Sequence, residues 1–231
     1  MTGERALIVG VGDGLSASLA RLFHREGMAV ALAARNTEKL AGLAEETGAR
    51  VYRCDAADRA SMAALFAALD DDGLTPTLAV YNPSFRVRGP LAELDQEAVE
   101  KTLMITAYGA FLMAQHAAQR MLKAGSGTIL FTGASAGVKG YAKSAPFAMG
   151  KFALRGLAQS IARELHPQNI HIGHFVIDGG IANPGDARTG TRGEDGMLDP
   201  DAIAESYLQF HRQHRSSWAW ELELRPWVET F

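Results

Sequence analysis

The stretch GVGDGLS, residues 10–16, places glycines at positions 10, 12 and 14. Without a Cβ, such a backbone turns tightly and can approach a large anion. A helix that starts directly behind it adds free N–H groups and the positive end of its dipole. A pyrophosphate is the group that this arrangement holds. The apolar run ALIVG (6–10) precedes the turn, and Leu15, Leu19, Leu22 and Phe23 follow at helical spacing. Strand, glycine turn and helix therefore occur in the order that a nucleotide site requires. The second apolar run ends in Ala33-Ala34-Arg35-Asn36. An acid there would bind the ribose hydroxyls of NAD, whereas an arginine pairs with the 2′-phosphate of NADP. Asp13, inside the turn, opposes a nearby phosphate. Arg35 outweighs it, so NADP(H) is favoured over NAD(H). Asp55, after the third run, is placed to accept from an adenine amino group. Asn82, after the fourth, lies where the backbone passes the adenine ribose. Both residue types also serve as turn or cap residues.

Other chemistries find little support. His211 and His214 stand one helical turn apart but have no third ligand, so no metal site is expected. Cys54 is the only cysteine, which rules out an internal disulfide and a cysteine metal cluster and fits a reducing compartment. With 231 residues, 47% hydrophobic and 21% charged, the chain has the composition of an ordinary soluble protein with a sizeable core. Its net charge of −3 and lack of a Lys/Arg run argue against nucleic-acid and anionic-membrane partners. The start, MTGERALIVG, lacks the apolar core of a signal peptide, and no apolar run approaches the ~20 residues of a membrane span. A cytoplasmic protein is expected.

These residues need a scaffold. The apolar runs ALIVG, MAVALAA (28–34), ARVYRC (49–54), TLAVY (77–81), GTILFT (127–132) and IHIGHFVI (170–177) are mostly apolar on successive residues, as in strands buried on both faces. Amphipathic helices alternate with them. One carries Leu154, Leu157, Ile161 and Leu165 and ends at Pro167. The expected fold is α/β, a doubly wound parallel sheet with helices on both faces, in a single domain. The Gly-rich, charged loop 181–196 is either a lid over a site or a solvated connection, and the substrate-loop region is expected around 181–200. In the tail, Trp218, Trp220, Leu222 and Leu224 alternate onto one face of an expected strand. It is either an edge strand or a subunit contact.

Together with GVGDGLS, the segments CDAAD (54–58), YNPS (81–84), TGASAG (132–137), the spacing of Lys151, and VIDGGIAN (176–183) resemble the signatures of the short-chain dehydrogenase/reductase family. They occur in the family's order over nearly the whole chain. The resemblance implies a Rossmann-type NAD(P)-binding domain that forms a homodimer or homotetramer through its fourth and fifth helices. Ala107, Ala110, Ala114 and Ala117 on the fourth helix would allow a partner's close approach or pack on the sheet. The implied cofactor contacts are Gly10, Gly12, Asp13, Gly14, Leu15, Arg35, Asp55, Ala56, Asn82, Lys151, Gly179 and Ile181.

The departures from the family pattern lie mostly at the reacting end. Ser16 replaces the last glycine of the turn, and Pro83-Ser84 follows Asn82. Asp178-Gly179 stands for Pro-Gly, and Asn183 replaces a threonine expected to meet the carboxamide. Of the family's Asn, Ser, Tyr and Lys tetrad, only Lys151 survives. In FAMGK (147–151) the tyrosine position is Phe147, the serine position is Ala134 with Ser135 adjacent, and the asparagine position is Thr106.

Carbonyl reduction needs a hydride and a proton, and phenylalanine donates none. Loss of a general acid removes ~10²–10⁴ in rate, while Lys151 can still hold the nicotinamide ribose. Candidates for the missing role are Ser135, if the loop shifts by one residue, and Tyr141, with Lys143 and Ser144 in the same loop. His174 and Asp178 flank the end of the sixth strand, and His174 reads as a satisfied core histidine. One expectation is an NAD(P)(H)-dependent oxidoreductase acting on a small carbonyl or alcohol by a non-standard proton route. The alternatives are a cofactor-binding, catalytically weak protein with a sensor, regulatory or scaffold role, and a reaction without net redox.

Overall fold

Every apolar run of the sequence becomes a strand. In the computed structural model, which describes residues 3–229 apart from Pro184, Asp186, Thr189, Gly190 and Glu194, these are β1 (Arg5–Val9), β2 (Ala29–Ala34), β3 (Arg50–Arg53), β4 (Leu78–Tyr81), β5 (Gly127–Thr132) and β6 (Ile170–Ile177). The tail adds β7 (Glu221–Leu224). They form one seven-stranded sheet in the order β3-β2-β1-β4-β5-β6-β7. All its pairings are parallel. Every residue of β4 and β6 is buried, as a sheet covered on both faces demands.

Helices α1 (Leu15–Arg25), α2 (Ala41–Thr47) and α7 (Pro200–His211) cover one face. On the other lie α3 (Arg59–Asp71), α5 (Gly109–Ala124) and α6 (Ala145–Leu165). Two cores result. Leu15, Leu19, Leu22 and Phe23 of α1 sit in the first, and Leu154 and Leu165 of α6 in the second. α4 (Gln96–Leu103) runs into α5 through a wider, π-helical turn at Met104–Tyr108. Gly109 closes that turn because a Cβ there would come 2.4 Å from the Ala56 carbonyl oxygen. Ala110, Ala114 and Ala117 are buried against the sheet, so these alanines serve the core and not a partner's approach.

The tail strand lies on the sheet edge beside β6, as the edge-strand reading holds. Its expected face is only half right. Leu222 and Leu224 pack on the α1/α7 side. Trp220 packs on the α6 side, with the Arg155 guanidinium 5.7 Å from its ring. Trp218 stacks on His171 at 4.4 Å. Pairing begins only at Glu221, so the residues before it are not bound to the two-residue period. Loop 181–196 is described only in part. Ile181 bridges Leu198, and the reading of this loop as a lid rests partly on residues outside those described. Among the described residues, no helix is long and apolar enough to cross a membrane.

Candidate nucleotide and substrate cleft

Strand order reverses at β1, which has β2 on one side and β4 on the other. In open α/β sheets, ligands bind beyond the carboxyl ends of the strands at such a point. Two adjoining cavities of about 520 and about 390 Å³ lie there and share Gly10, Gly12, Asn82 and Ser84. The larger is lined by Asp13, Arg35, Asp55 and Ala56 among others. The smaller is lined by Gly14, Leu15, Lys151, Gly179 and Ile181. The fold thus brings every expected cofactor-contact residue to one cleft.

The glycines divide the labour. Gly10 adopts φ +84°, and a Cβ there would sit 2.5 Å from the Pro83 ring. A Cβ on Gly14 would lie 1.9 Å from Oδ1 of Asn183, so that amide rests against the turn. At Gly12, a Cβ would meet no protein atom within 4 Å. Its absence leaves room for a ligand. Ser16, a departure from the family pattern, locks the turn: its hydroxyl donates to the Gly10 carbonyl at 3.1 Å and accepts from Asn82 Nδ2 at 2.6 Å. Aspartate side chains cap the amino ends of α3, α4 and α7. Gly14 leaves α1 without a side-chain cap. That end keeps its N–H groups and positive dipole for an anion. The cleft suits a dinucleotide on this chemistry.

At the far end, Arg35 is joined by Lys39, which the sequence reading missed, and by Asn36. Asn36 Oδ1 accepts from the Glu38 N–H at 3.1 Å. Asp55 uses one carboxylate oxygen on the Ala57 N–H at 3.0 Å, so it also acts as a turn residue. Cys54 lines this end too, but burial pushes its thiol up to about 11 and makes it a poor nucleophile.

At the reacting end, Lys151 is buried and its ammonium donates to the Thr132 carbonyl at 2.7 Å. Burial without a paired carboxylate pulls its pKa down to about 7. Phe147, Ala134 and Ser135 line the same cavity, and Lys151 Nζ lies 5.8 Å from the Phe147 ring centre. Arg86 also lines this cavity, its guanidinium carbon 4.9 Å from the centre of the same ring. Sequence reasoning missed it. The only signal was a charge two residues beyond YNPS.

Other candidates lie elsewhere. Tyr141 is 43% exposed beneath the Lys139 ammonium and lines neither cavity. Lys143 is exposed with φ 58°, and Ser144 is buried at the start of α6. Thr106 is buried in the π-helical turn, where it accepts from the Phe85 N–H at 3.5 Å and also lines neither cavity. Asp178 faces Arg225 at 3.5 Å. His174 is half-satisfied: Nδ1 meets Glu221 at 3.0 Å, while Nε2 is buried without a partner. Burial lowers its pKa to about 4, against the opposing pull of Glu221. His211 is held between Thr128 and Glu4, and His214 bonds Ser216. Among the described residues, no group of three or more metal-ligating side chains converges.

Residues 4–190 match the family model described as short chain dehydrogenase. The chain is 32% identical over 193 residues to momilactone A synthase from Oryza sativa subsp. japonica, covering 80% of this chain and 69% of that one. It is 27% identical to D-threitol dehydrogenase from Mycolicibacterium smegmatis, over 74% of this chain and 68% of the relative. A short-chain dehydrogenase structure from Rhodopseudomonas palustris superposes with a TM-score of 0.85 at 32% identity, covering 98% of this chain and all of the other. A metagenomic short-chain oxidoreductase in complex with NADP shares the fold, with a TM-score of 0.84 at 24% identity over 98% of each chain. The chain belongs to the short chain dehydrogenase family, whose members bind NAD(P).

Proposed function

We propose that this protein is an NADP(H)-preferring oxidoreductase that acts on a small carbonyl or alcohol by a proton route other than the family's tyrosine. The observation that carries the reading is the continuous cleft, with the open Gly12 turn at its centre, Arg35 and Lys39 at one end, and Lys151 at the other. In it, Gly10, Gly12, Gly14 and the uncapped start of α1 hold the pyrophosphate. Arg35 and Lys39 hold the 2′-phosphate, and Lys151 holds the nicotinamide ribose. When bound, the cofactor supplies the hydride. Ser135 steadies the carbonyl oxygen from its place on the cavity wall. Lys151 and Arg86 are the charged side chains among those lining this end. Of the two, only Lys151 has a pKa near neutrality, so it holds the proton and passes it directly or through water. The required form is the ammonium, so reduction should slow as pH rises through about 7. The exposed apolar side chains Phe111, Met149 and Phe152 on α5 and α6 support a homo-oligomer formed through those helices. The chain's composition supports a cytoplasmic setting.

A second reading, a cofactor-binding protein with weak or no turnover, is favoured by Phe147 and Ala134 facing the cleft where hydroxyls are expected. NADPH consumption with a panel of small ketones, aldehydes, quinones and oxo-acids separates the two. Turnover that wild type shows and Lys151→Met lacks supports the enzyme. NADPH binding without turnover across the panel supports the second reading.

A further inference from the structure

The cavity of about 390 Å³ has no aspartate or glutamate among its lining residues, and its charged side chains are Arg86 and Lys151. Further cations stand near. Arg188 and Arg192 each bring a guanidinium nitrogen to 3.8 and 4.0 Å from where a Cβ on Gly180 would be, next to the cavity residue Gly179. Arg192 is partly neutralised by Glu229 at 3.6 Å. Arg86 has no carboxylate partner among the described residues. Burial, then Arg88 and Arg188, hold its pKa below the ordinary arginine value. Arg86 and Lys151 line one concave site whose wall carries no carboxylate, and the electrostatic cost of that pair is one that a bound anion removes.

The posture of Arg86 adds direction. Its guanidinium carbon lies over the Phe147 ring, 4.9 Å from the ring centre and within cation–π range. The ring neutralises no charge, so the guanidinium keeps its full charge and its fork of N–H donors, which matches a carboxylate bidentately. Phe147, the residue that removed the acid hydroxyl, thus also supplies the surface on which this cation rests. Gly12 and Gly14 lie in the same cavity, but Arg86 contacts the ring at the reacting end and is absent from the wall of the nucleotide cavity.

We propose that Arg86, lying over the Phe147 ring, is the anchor for a carboxylate on the substrate, so that the substrate class is a small oxo- or hydroxy-acid and not a neutral carbonyl compound. The proposal rests on the oxidoreductase reading above for the word substrate, but the anion subsite itself does not. Lys151 and Arg86 lie 5.8 and 4.9 Å from the Phe147 ring centre and line the same cavity. A carboxylate held by the arginine therefore keeps a neighbouring carbonyl in the cavity that also holds the ammonium.

The test is a calorimetric titration of benzoate and its neutral isostere benzamide into wild type, Arg86→Met and Arg86→Lys, each with and without NADPH. Arg86 is exposed, so folding should survive its replacement. Wild type is expected to prefer benzoate by roughly tenfold or more, Arg86→Met to bind the two alike, and Arg86→Lys to keep part of the preference. NADPH affinity should stay within about twofold in all three, since Arg86 is assigned to the substrate and not to the cofactor. Equal binding of the two probes by wild type overturns the proposal, as does a preference that persists in Arg86→Met. A loss of NADPH affinity in Arg86→Met that matches the loss of benzoate also overturns it, by placing the arginine in the cofactor site. Failure of wild type to bind NADPH, with the benzoate preference intact, sinks the oxidoreductase reading and leaves the anion subsite standing.

Discussion

The two ends of the cleft have departed from their family pattern in different ways. At the nucleotide end, the departure at Ser16 is absorbed by local bonding. Ser16 takes the place of a glycine and uses its hydroxyl to tie the turn to Asn82. At the reacting end, the departures leave side chains without hydroxyls on the cavity wall. Phe147 and Ala134 line the cavity without a donor, and a cation missing from the expected set, Arg86, lies over the ring. A binding surface needs shape and backbone N–H groups, which many sequences provide. A proton donor needs one group at one place. The contrast therefore predicts nearly ordinary cofactor affinity beside altered chemistry.

The largest effect should come from Gly12→Val. A Cβ there meets no protein atom within 4 Å, so the melting temperature should hold while NADPH affinity falls on the order of 10²-fold, because the side chain fills the cradle. Retained affinity in a calorimetric titration would break the comparison at its stronger end. Next, Phe147→Tyr combined with Ala134→Ser should raise ketone reduction by roughly 10–10²-fold, measured as NADPH consumption. No gain with cofactor still bound would show that the missing hydroxyls are not what limits this site. Arg35→Ala should reduce the NADPH-over-NADH preference about tenfold, the worth of one charge-assisted contact. Lys39, at the same end, limits the loss.

pH should separate the ends by stability. Lys151 has a folded pKa of about 7, below its ordinary 10.5. Between those values the unfolded chain binds more protons, so stability rises with pH by up to about 1.4 kcal/mol per unit, and Lys151→Met should flatten that rise in urea unfolding. His171 and His174 have folded values near 4 against 6.5. Their contribution is present above pH 6.5 and is lost as pH falls toward 4. The smallest effect belongs to Tyr141→Phe, where turnover should stay within about twofold. Tyr141 lines neither cavity, so a larger loss would reopen its candidacy as proton donor.

The sheet could be read from the chain because strands buried on both faces write continuous apolar runs, and each run from ALIVG to IHIGHFVI became the strand expected. The glycine turn was legible for a related reason, since its backbone requirement excludes other residues. Arg86 and Lys39 were not legible. They sit on connections whose side chains reach the cleft only because the fold brings strand ends together. Sequence distance misled at Tyr141. It lies six residues before Phe147, yet the chain passes through the left-handed Lys143 before α6 begins, and the ring stays on the surface. Trp220 was assigned to the wrong face because the two-residue period was extended past the start of β7.

Cofactor binding at the nucleotide end, beside a changed reacting end, is the central proposal. The most direct measurement is a paired titration of wild type with NADPH and NADH, followed by tryptophan-to-nicotinamide energy transfer. The account predicts saturable binding of both, with NADPH the tighter by roughly tenfold through Arg35 and Lys39. Binding of neither cofactor would contradict it and make the glycine turn a structural relic. Tighter binding of NADH would give Asp13 the deciding role at the ribose.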